Sequence, residues 1–260
     1  MARQAGSRYG VRFARTAADL KAAQRLRGLT FRGDADAPDG DALDARCGHV
    51  LVERLEDGAL VACFRLLPLA SGAEIAGSYA ARHYDLRGLA GHAGPLLEMG
   101  RFCIHPDCRD PDVLRLAWAG LGAVVSAQGT QLMFGCTSFK GTDSAPYTDA
   151  FAMLAAGHLA PRRWLPRVKA SSVFRFARVL RGTRPDRAAA LRAMPPLLRS
   201  YLSLGGWVSD HAVLDRDLDT LHVFTGLDIA SIPPVRARAL RTMGAELLDG
   251  LSAPTLSAPA

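Results

Sequence analysis

Leu96-Leu97-Glu98-Met99-Gly100-Arg101-Phe102-Cys103-Ile104 is the stretch on which the reading of this chain turns. Its apolar content predicts a strand over residues 96–104, closed off by His105-Pro106. On a regular strand Glu98, Gly100 and Phe102 face one side and Met99, Arg101 and Cys103 the other, unless a bulge intervenes.

C-terminal to that strand, residues 111–128 carry Val113, Leu116, Ala117, Leu121, Val124 and Val125 at helical spacing behind Pro111, which suits a first turn. Gly129 ends this helix, and residues 132–137 follow as a continuously apolar strand of the buried type. N-terminal to it, residues 50–55 and 60–67 are predicted strands joined through Asp57-Gly58, a hairpin turn. Residues 11–15 make a short strand, and Thr16 caps a helix with Leu20, Ala23, Leu26 and Leu29 on one face. The Gly/Asp-rich segment 33–44 is loop. Farther on come a helical segment at 148–159, a Pro/Arg-rich stretch at 161–169, an amphipathic helix ending at Tyr201, and strands near 207–214 and 220–227. This order predicts an α/β fold with a mixed, partly antiparallel central sheet flanked by helices. It reads as one domain over residues 1–250, with a helical insertion at about 140–195 and a disordered tail over 251–260.

The 260 residues are 49% hydrophobic and 22% charged, which excludes wholesale disorder. No run approaches the roughly 20 apolar residues of a membrane-spanning helix. Arg3 and Arg8 have no apolar stretch behind them, so no secretory leader is expected and a cytoplasmic protein is. Cys47, Cys63, Cys103, Cys108 and Cys136 form no C-x-x-C pair, which fits reduced core thiols. The seven histidines form no H-x-x-x-H or H-E-x-x-H pattern, so no metal site is expected. The net charge of +7 comes almost wholly from arginine, the lysines being Lys21, Lys140 and Lys169. It favours an anionic partner, and without an RNP, zinc-finger or helix-turn-helix signature that partner is not expected to be nucleic acid.

Three segments together resemble the Gcn5-related N-acyltransferase superfamily, in its branch using acyl carrier protein thioesters. They are Phe64-Arg65-Leu66-Leu67-Pro68, the Glu98 strand, and Leu132-Met133-Phe134-Gly135-Cys136-Thr137-Ser138-Phe139. In this order they look like the motifs of the bacterial L-ornithine N-alpha-acyltransferases, the ornithine lipid synthases. Acyl-homoserine-lactone synthases share the first two. The run Pro195-Pro196-Leu197-Leu198-Arg199-Ser200-Tyr201-Leu202-Ser203-Leu204-Gly205-Gly206 resembles the ornithine lipid family specifically. The resemblance spans residues 13–229 and implies transfer of a (3-hydroxy)fatty acyl group from acyl carrier protein to the α-amine of L-ornithine. The product would be a lyso-ornithine lipid, and no metal or organic cofactor is implied beyond the phosphopantetheine thioester of the co-substrate.

N-acylation needs a neutral amine, a polarised thioester carbonyl and a proton for the leaving thiolate. Glu98 is the candidate base. The superfamily's bulge in this strand, placed at Gly100, would turn a backbone N–H toward the thioester oxygen. Arg101 would pair with Glu98 or Asp44, or hold the ornithine carboxylate. Tyr201 matches the superfamily's late Y-x-x-L-G element and would protonate the thiolate. Arg27, Phe31, Asp41, Asp44 and Arg65 match positions that order the N-terminal segment over the active site in homoserine-lactone synthases, and Asp41 and Asp44 suit the cationic amines of ornithine. Phe102 and Cys103 complete the expected substrate-binding set.

Two departures matter. Gly33-Asp34 occupies the region where lactone synthases often carry a tryptophan, which weakens a reading as an S-adenosylmethionine-dependent lactone synthase. The coenzyme A loop (Q/R)-x-x-G-x-(G/A) is replaced by His105-Pro106-Asp107-Cys108-Arg109-Asp110-Pro111, without glycine, so carrier protein is the expected donor. Arg109, Arg115, Arg163, Arg167 and Lys169 would meet its acidic surface. A lipid product implies peripheral contact with the anionic inner membrane and a downstream O-acyltransferase. A non-catalytic module binding carrier protein or membrane is a further reading. His105 to Asp110 also spells the H-x-x-x-x-D signature of glycerolipid O-acyltransferases, but Arg181-Gly182-Thr183-Arg184 has arginine where their E-G-T-R element needs glutamate.

Overall fold

The structure, a computed structural model, describes residues 8–248, so the expected tail at 251–260 and most of the N-terminal leader reading lie outside the described residues. In chain order the elements are β1 (Tyr9–Phe13), α1 (Ala17–Arg32), β2 (Gly48–Arg54), β3 (Leu60–Leu69), α2 (Ala80–His83), β4 (Tyr84–Asp85), β5 (Leu96–Ile104), α3 (Pro111–Ala127) and β6 (Leu132–Lys140). They continue with α4 (Thr148–Gly157), β7 (Arg167–Val168), β8 (Val173–Phe174), α5 (Phe176–Val179), α6 (Arg187–Ala193), α7 (Pro196–Ser203), β9 (Trp207–Asp215), β10 (Thr220–Asp228) and α8 (Pro234–Leu248). Mostly antiparallel strands flanked by helices are the class that the element order predicts.

Two compact units divide the chain. One takes the described residues up to Pro68, Met99–Thr130 and those from Pro234; the other takes Leu69–Glu98 and Gln131–Pro233. Strand β5 passes from the second to the first between Glu98 and Met99.

In the first unit β1 pairs antiparallel with β2, Val11 opposite Val52, and β2 with β3, Val50 opposite Phe64. Helix α1 begins where Thr16 accepts from the Asp19 N–H while the Asp19 side chain returns to the Thr16 backbone, a capping box. It ends at Gly33, whose φ of 73° is the left-handed conformation glycine takes without strain. Its apolar face sets Ala23 and Leu26 against Leu51, Cys63 and Cys103. Helix α3 packs on β1, β2 and α8.

In the second unit β10 lies between β6 and β9, Val223 facing Thr137 on one side and Ala212 on the other, and β8 adds to β9. One face of this sheet buries Ala212, Leu221 and Val223 against Phe151 and Leu154 of α4, Phe176 of α5 and Leu198 of α7. Alternation turns His222 to the opposite face, where it meets Tyr84 of β4. Strand β4 itself pairs with β7, Tyr84 opposite Val168.

Strands β2, β3 and β5 and helices α1, α3, α4 and α7 fall on the predicted segments. The reading passed over α2, β4, β7 and β8, which at two to four residues are too short for any periodicity to register, and α8, whose Arg236, Arg238 and Arg241 dilute its apolar stripe.

Candidate active site

An arginine leaves water only if anions meet it, and in the first unit three do. Arg27, on the inward face of α1 and 1% exposed, grips Asp44 with both terminal nitrogens at 3.0 Å and reaches Asp39 with Nε at 3.1 Å. Arg65, on β3, donates to Asp41 at 2.6 and 3.0 Å and to Asp44 at 2.7 Å. Arg101 donates from Nε to Asp39 at 2.8 Å, with Asp41 3.8 Å away. Gln24 adds a bond to Asp44 at 3.0 Å, and His49 Nε2 lies 3.0 Å from the Asp44 carbonyl. The loop after α1 is thereby laced to α1, β3 and β5.

Burial alone would raise the Asp44 pKa, but the hydrogen bonds from Arg27 and Gln24 outweigh it and hold the carboxyl well below its usual range. Burial likewise opposes, and Arg65 overcomes, the same shift at Asp41. Burial, with some repulsion from Arg27 and Arg65, pushes His49 below its ordinary value.

This geometry corrects part of the expected substrate set. Both oxygens of Asp44 are taken, one by Arg27 and Arg65, the other by Arg27 and Gln24, so Asp44 has no lone pair for an ornithine amine. Arg27, Arg65 and Asp44 brace the loop instead. Asp41 also pairs with Arg65 but keeps 20% of its side chain exposed. Cys103 is buried beneath α1 with its Sγ 3.5 Å from that of Cys63, which makes it core. Phe31 packs on the same cluster, and Phe102 sets its ring 5.8 Å from that of Phe64.

Within β5, Arg101, one residue beyond Gly100, has φ at +53°. A side-chain-bearing residue pays about 1–2 kcal/mol for that conformation, and the Asp39 bond holds it there. Asp39 was passed over in the sequence. Charge balance was the available signal, because the three arginines Arg27, Arg65 and Arg101 call for three acids and Asp41 and Asp44 supply two.

In the second unit Glu98 is 4% exposed, and its two oxygens accept the backbone N–H groups of Tyr79 and Ala80 at 2.8 and 2.7 Å. Tyr201, on the buried face of α7 with Leu198, is pushed up by burial, then by the negative charge of Glu98 and by Cys136, so its phenol keeps its proton. Gly205-Gly206 closes that helix for steric reasons. Gly205 has φ at +95°, and a Cβ on Gly206 would stand 2.8 Å from the Tyr201 carbonyl oxygen.

Arg109 and Arg115 are exposed near the start of α3, Arg115 pairing with Asp112 at 2.9 Å. Asp110 caps that helix by accepting the Asp112 N–H, and His105 Nδ1 accepts the Asp107 N–H, so the H-x-x-x-x-D residues serve the loop and the cap. In the second unit Arg87, Arg162, Arg163 and Arg167 line a cleft of about 280 Å³ with Gly88 and Leu165. Arg163 stacks over Trp164 at 4.2 Å. Lys169 is exposed, and its Nζ donates to the Ala81 carbonyl at 2.6 Å. Among the described residues no helix is long and apolar enough to cross a membrane.

Residues 26–119 match the acetyltransferase (GNAT) domain model. The chain is 35% identical to an L-ornithine N(alpha)-acyltransferase of Rhodobacter capsulatus, over 85% of this chain and 90% of that one. It is 30% identical to one of Brucella abortus, over 91% and 89%. A solved CoA-dependent acyl-homoserine lactone synthase with SAM and isopentyl-CoA aligns with a TM-score of 0.48 at 13% identity, over 91% of this chain and 90% of that one.

Proposed function

Because the chain belongs to the family of these L-ornithine N(alpha)-acyltransferases, we propose that it joins a 3-hydroxy fatty acyl group from acyl carrier protein to the α-amine of L-ornithine. The product is a lyso-ornithine lipid. One observation carries the reading: the likeness to relatives of one name runs along 85–91% of this chain.

In the proposed reaction the amine nitrogen attacks the thioester carbonyl, the C–N bond forms and the C–S bond breaks. The ammonium first loses one proton to solvent water. As the C–N bond forms the nitrogen gives its second proton to Glu98 through water, and the Tyr201 hydroxyl protonates the departing thiolate and regains that proton from Glu98. The bonds from the Tyr79 and Ala80 N–H groups fix the orientation of the Glu98 carboxylate for this traffic.

Carrier protein is favoured over coenzyme A by the start of α3, where Asp107, Asp110 and Asp112 place negative charge at the helix end that would otherwise attract a diphosphate. The arginine cleft suits an acidic carrier. A lipid product favours peripheral contact with the anionic inner membrane and hand-over to an O-acyltransferase.

The test is incubation of purified protein with 3-hydroxyacyl carrier protein and L-ornithine, reading free thiol and product mass. Ornithine-dependent thiol release with an N-acyl-ornithine mass is expected. Turnover only with another amine, or lactone formation from S-adenosylmethionine, overturns the substrate. Carrier binding without any turnover overturns the enzymatic reading.

A further inference from the structure

On the sheet face opposite the helical core of the second unit, three side chains from separate segments converge. His83 ends α2, Asp215 ends β9, and His222 stands on β10. Their ligand-capable atoms all lie within 4.8 Å of one another. The register explains the meeting: Val213 faces His222 across the hairpin, and Asp215, two residues on, shares the face of Val213. The His83 and His222 rings meet edge to face with centroids 4.9 Å apart.

Two details orient donors toward a cation. The Tyr84 hydroxyl donates to the His222 carbonyl at 2.7 Å and lies 3.2 Å from His222 Nδ1. Having spent its proton on the carbonyl, the phenol oxygen accepts from Nδ1–H, and Nε2 is then the ring nitrogen with a lone pair to give. A second partner on the far ring nitrogen is how metal-bound histidines are held. At Asp215, Oδ1 accepts the N–H groups of Asp217 and Leu218 at 3.0 and 3.2 Å, which fixes the carboxylate and leaves Oδ2 for the cluster.

We propose that His83, Asp215 and His222 form a binding site for one divalent transition-metal ion, zinc by its donor set. Two imidazoles and a carboxylate suit Zn²⁺ with a further position open to water. A tetrahedral ion with bonds of about 2.0–2.1 Å holds its ligands roughly 3.4 Å apart, so side-chain rotations on the order of 1 Å close the cluster. Pattern reading missed this site because its ligands lie far apart in sequence. The ion fastens the tip of the β9–β10 hairpin to α2, the helix whose first N–H groups hold Glu98.

The test uses the untagged full-length chain, stripped with chelator and titrated with ZnCl₂ and CoCl₂. The readouts are bound metal per chain, cobalt visible absorption, thermal midpoint and zinc-edge X-ray absorption. One tight zinc per chain with nitrogen and oxygen neighbours at about 2.0–2.2 Å is expected. His83→Gln and Asp215→Asn, both at partly exposed positions, should abolish stoichiometric binding while keeping the metal-free thermal midpoint. Tyr84→Phe should weaken zinc about 10- to 100-fold. Substoichiometric uptake, unchanged affinity in a folded His83 or Asp215 variant, or sulfur neighbours at about 2.3 Å, which would place the ion on cysteines, overturns the proposal. If both variants unfold, the wild-type absorption spectrum decides alone.

Discussion

In the first unit Arg27, Arg65 and Arg101 meet Asp39, Asp41 and Asp44, and each guanidinium has carboxylate oxygen within 3.1 Å. In the second unit the two oxygens of Glu98 accept the backbone N–H groups of Tyr79 and Ala80, and four arginines open on a cleft where Asp85 pairs with Arg87 at 2.6 Å. The same residue types thus serve two ends. Where charges cancel in a buried network they hold a loop, and removing one strands its partners. Where charge is balanced by dipoles or left to solvent, it remains available to a proton or to an anionic partner.

The largest expected effect separates the two regions. Glu98→Gln should lower kcat/KM by about 10²–10⁴ and cost about 1–3 kcal/mol in urea unfolding, because an amide oxygen accepts one of the two backbone N–H bonds and the amide NH2 leaves the other unsatisfied. Asp44→Asn should act mainly on stability: it leaves Arg27 and Arg65 underpaired and costs about 3–5 kcal/mol in urea unfolding, with turnover per folded molecule largely retained. Equal losses of rate and stability in both variants would break the comparison.

Acid sharpens it. His49 is held below its ordinary value near 6.5, so as pH falls below about 6.5 the unfolded chain binds a proton that the folded chain refuses, and stability declines. His49→Gln should flatten that slope. The depressed carboxyls of Asp41 and Asp44 add their stabilisation above about pH 4 and lose it as pH falls further, because the unfolded carboxylates take up protons first. Unfolding midpoints measured from pH 7 to pH 3 read both phases.

Smaller effects belong to exposed charge. Arg167→Glu, in the cleft, should raise KM for the acyl carrier protein several-fold at low salt, and 0.5 M NaCl should erase the difference. Arg25→Ala removes a solvent-exposed pair with Asp36 at 3.3 Å and should change stability by no more than about 0.5 kcal/mol.

Most of the fold was legible because its long elements carry their own signals. Thr16 marks the start of α1, Asp57-Gly58 turns the β2–β3 hairpin, and Pro111 and Gly129 bracket α3. The site was legible as residue types. Glu98, Arg101, Tyr201 and the Arg27–Asp44–Arg65 set were all named from motifs, yet their partners were not. Asp39 and the Tyr79 and Ala80 amides reach their partners across 12 to 62 positions, separations at which no spacing rule operates.

By itself the sequence determined the order of strands and helices, the basic charge and the family, because these depend on local periodicity, composition and motifs in series. Only the tertiary structure decided that Asp44 is a brace, that Cys103 is core, that Lys169 donates to the Ala81 carbonyl, and that His83, Asp215 and His222 meet. Those outcomes depend on which lone pairs and N–H groups burial leaves unsatisfied, and that is settled by packing distant segments together.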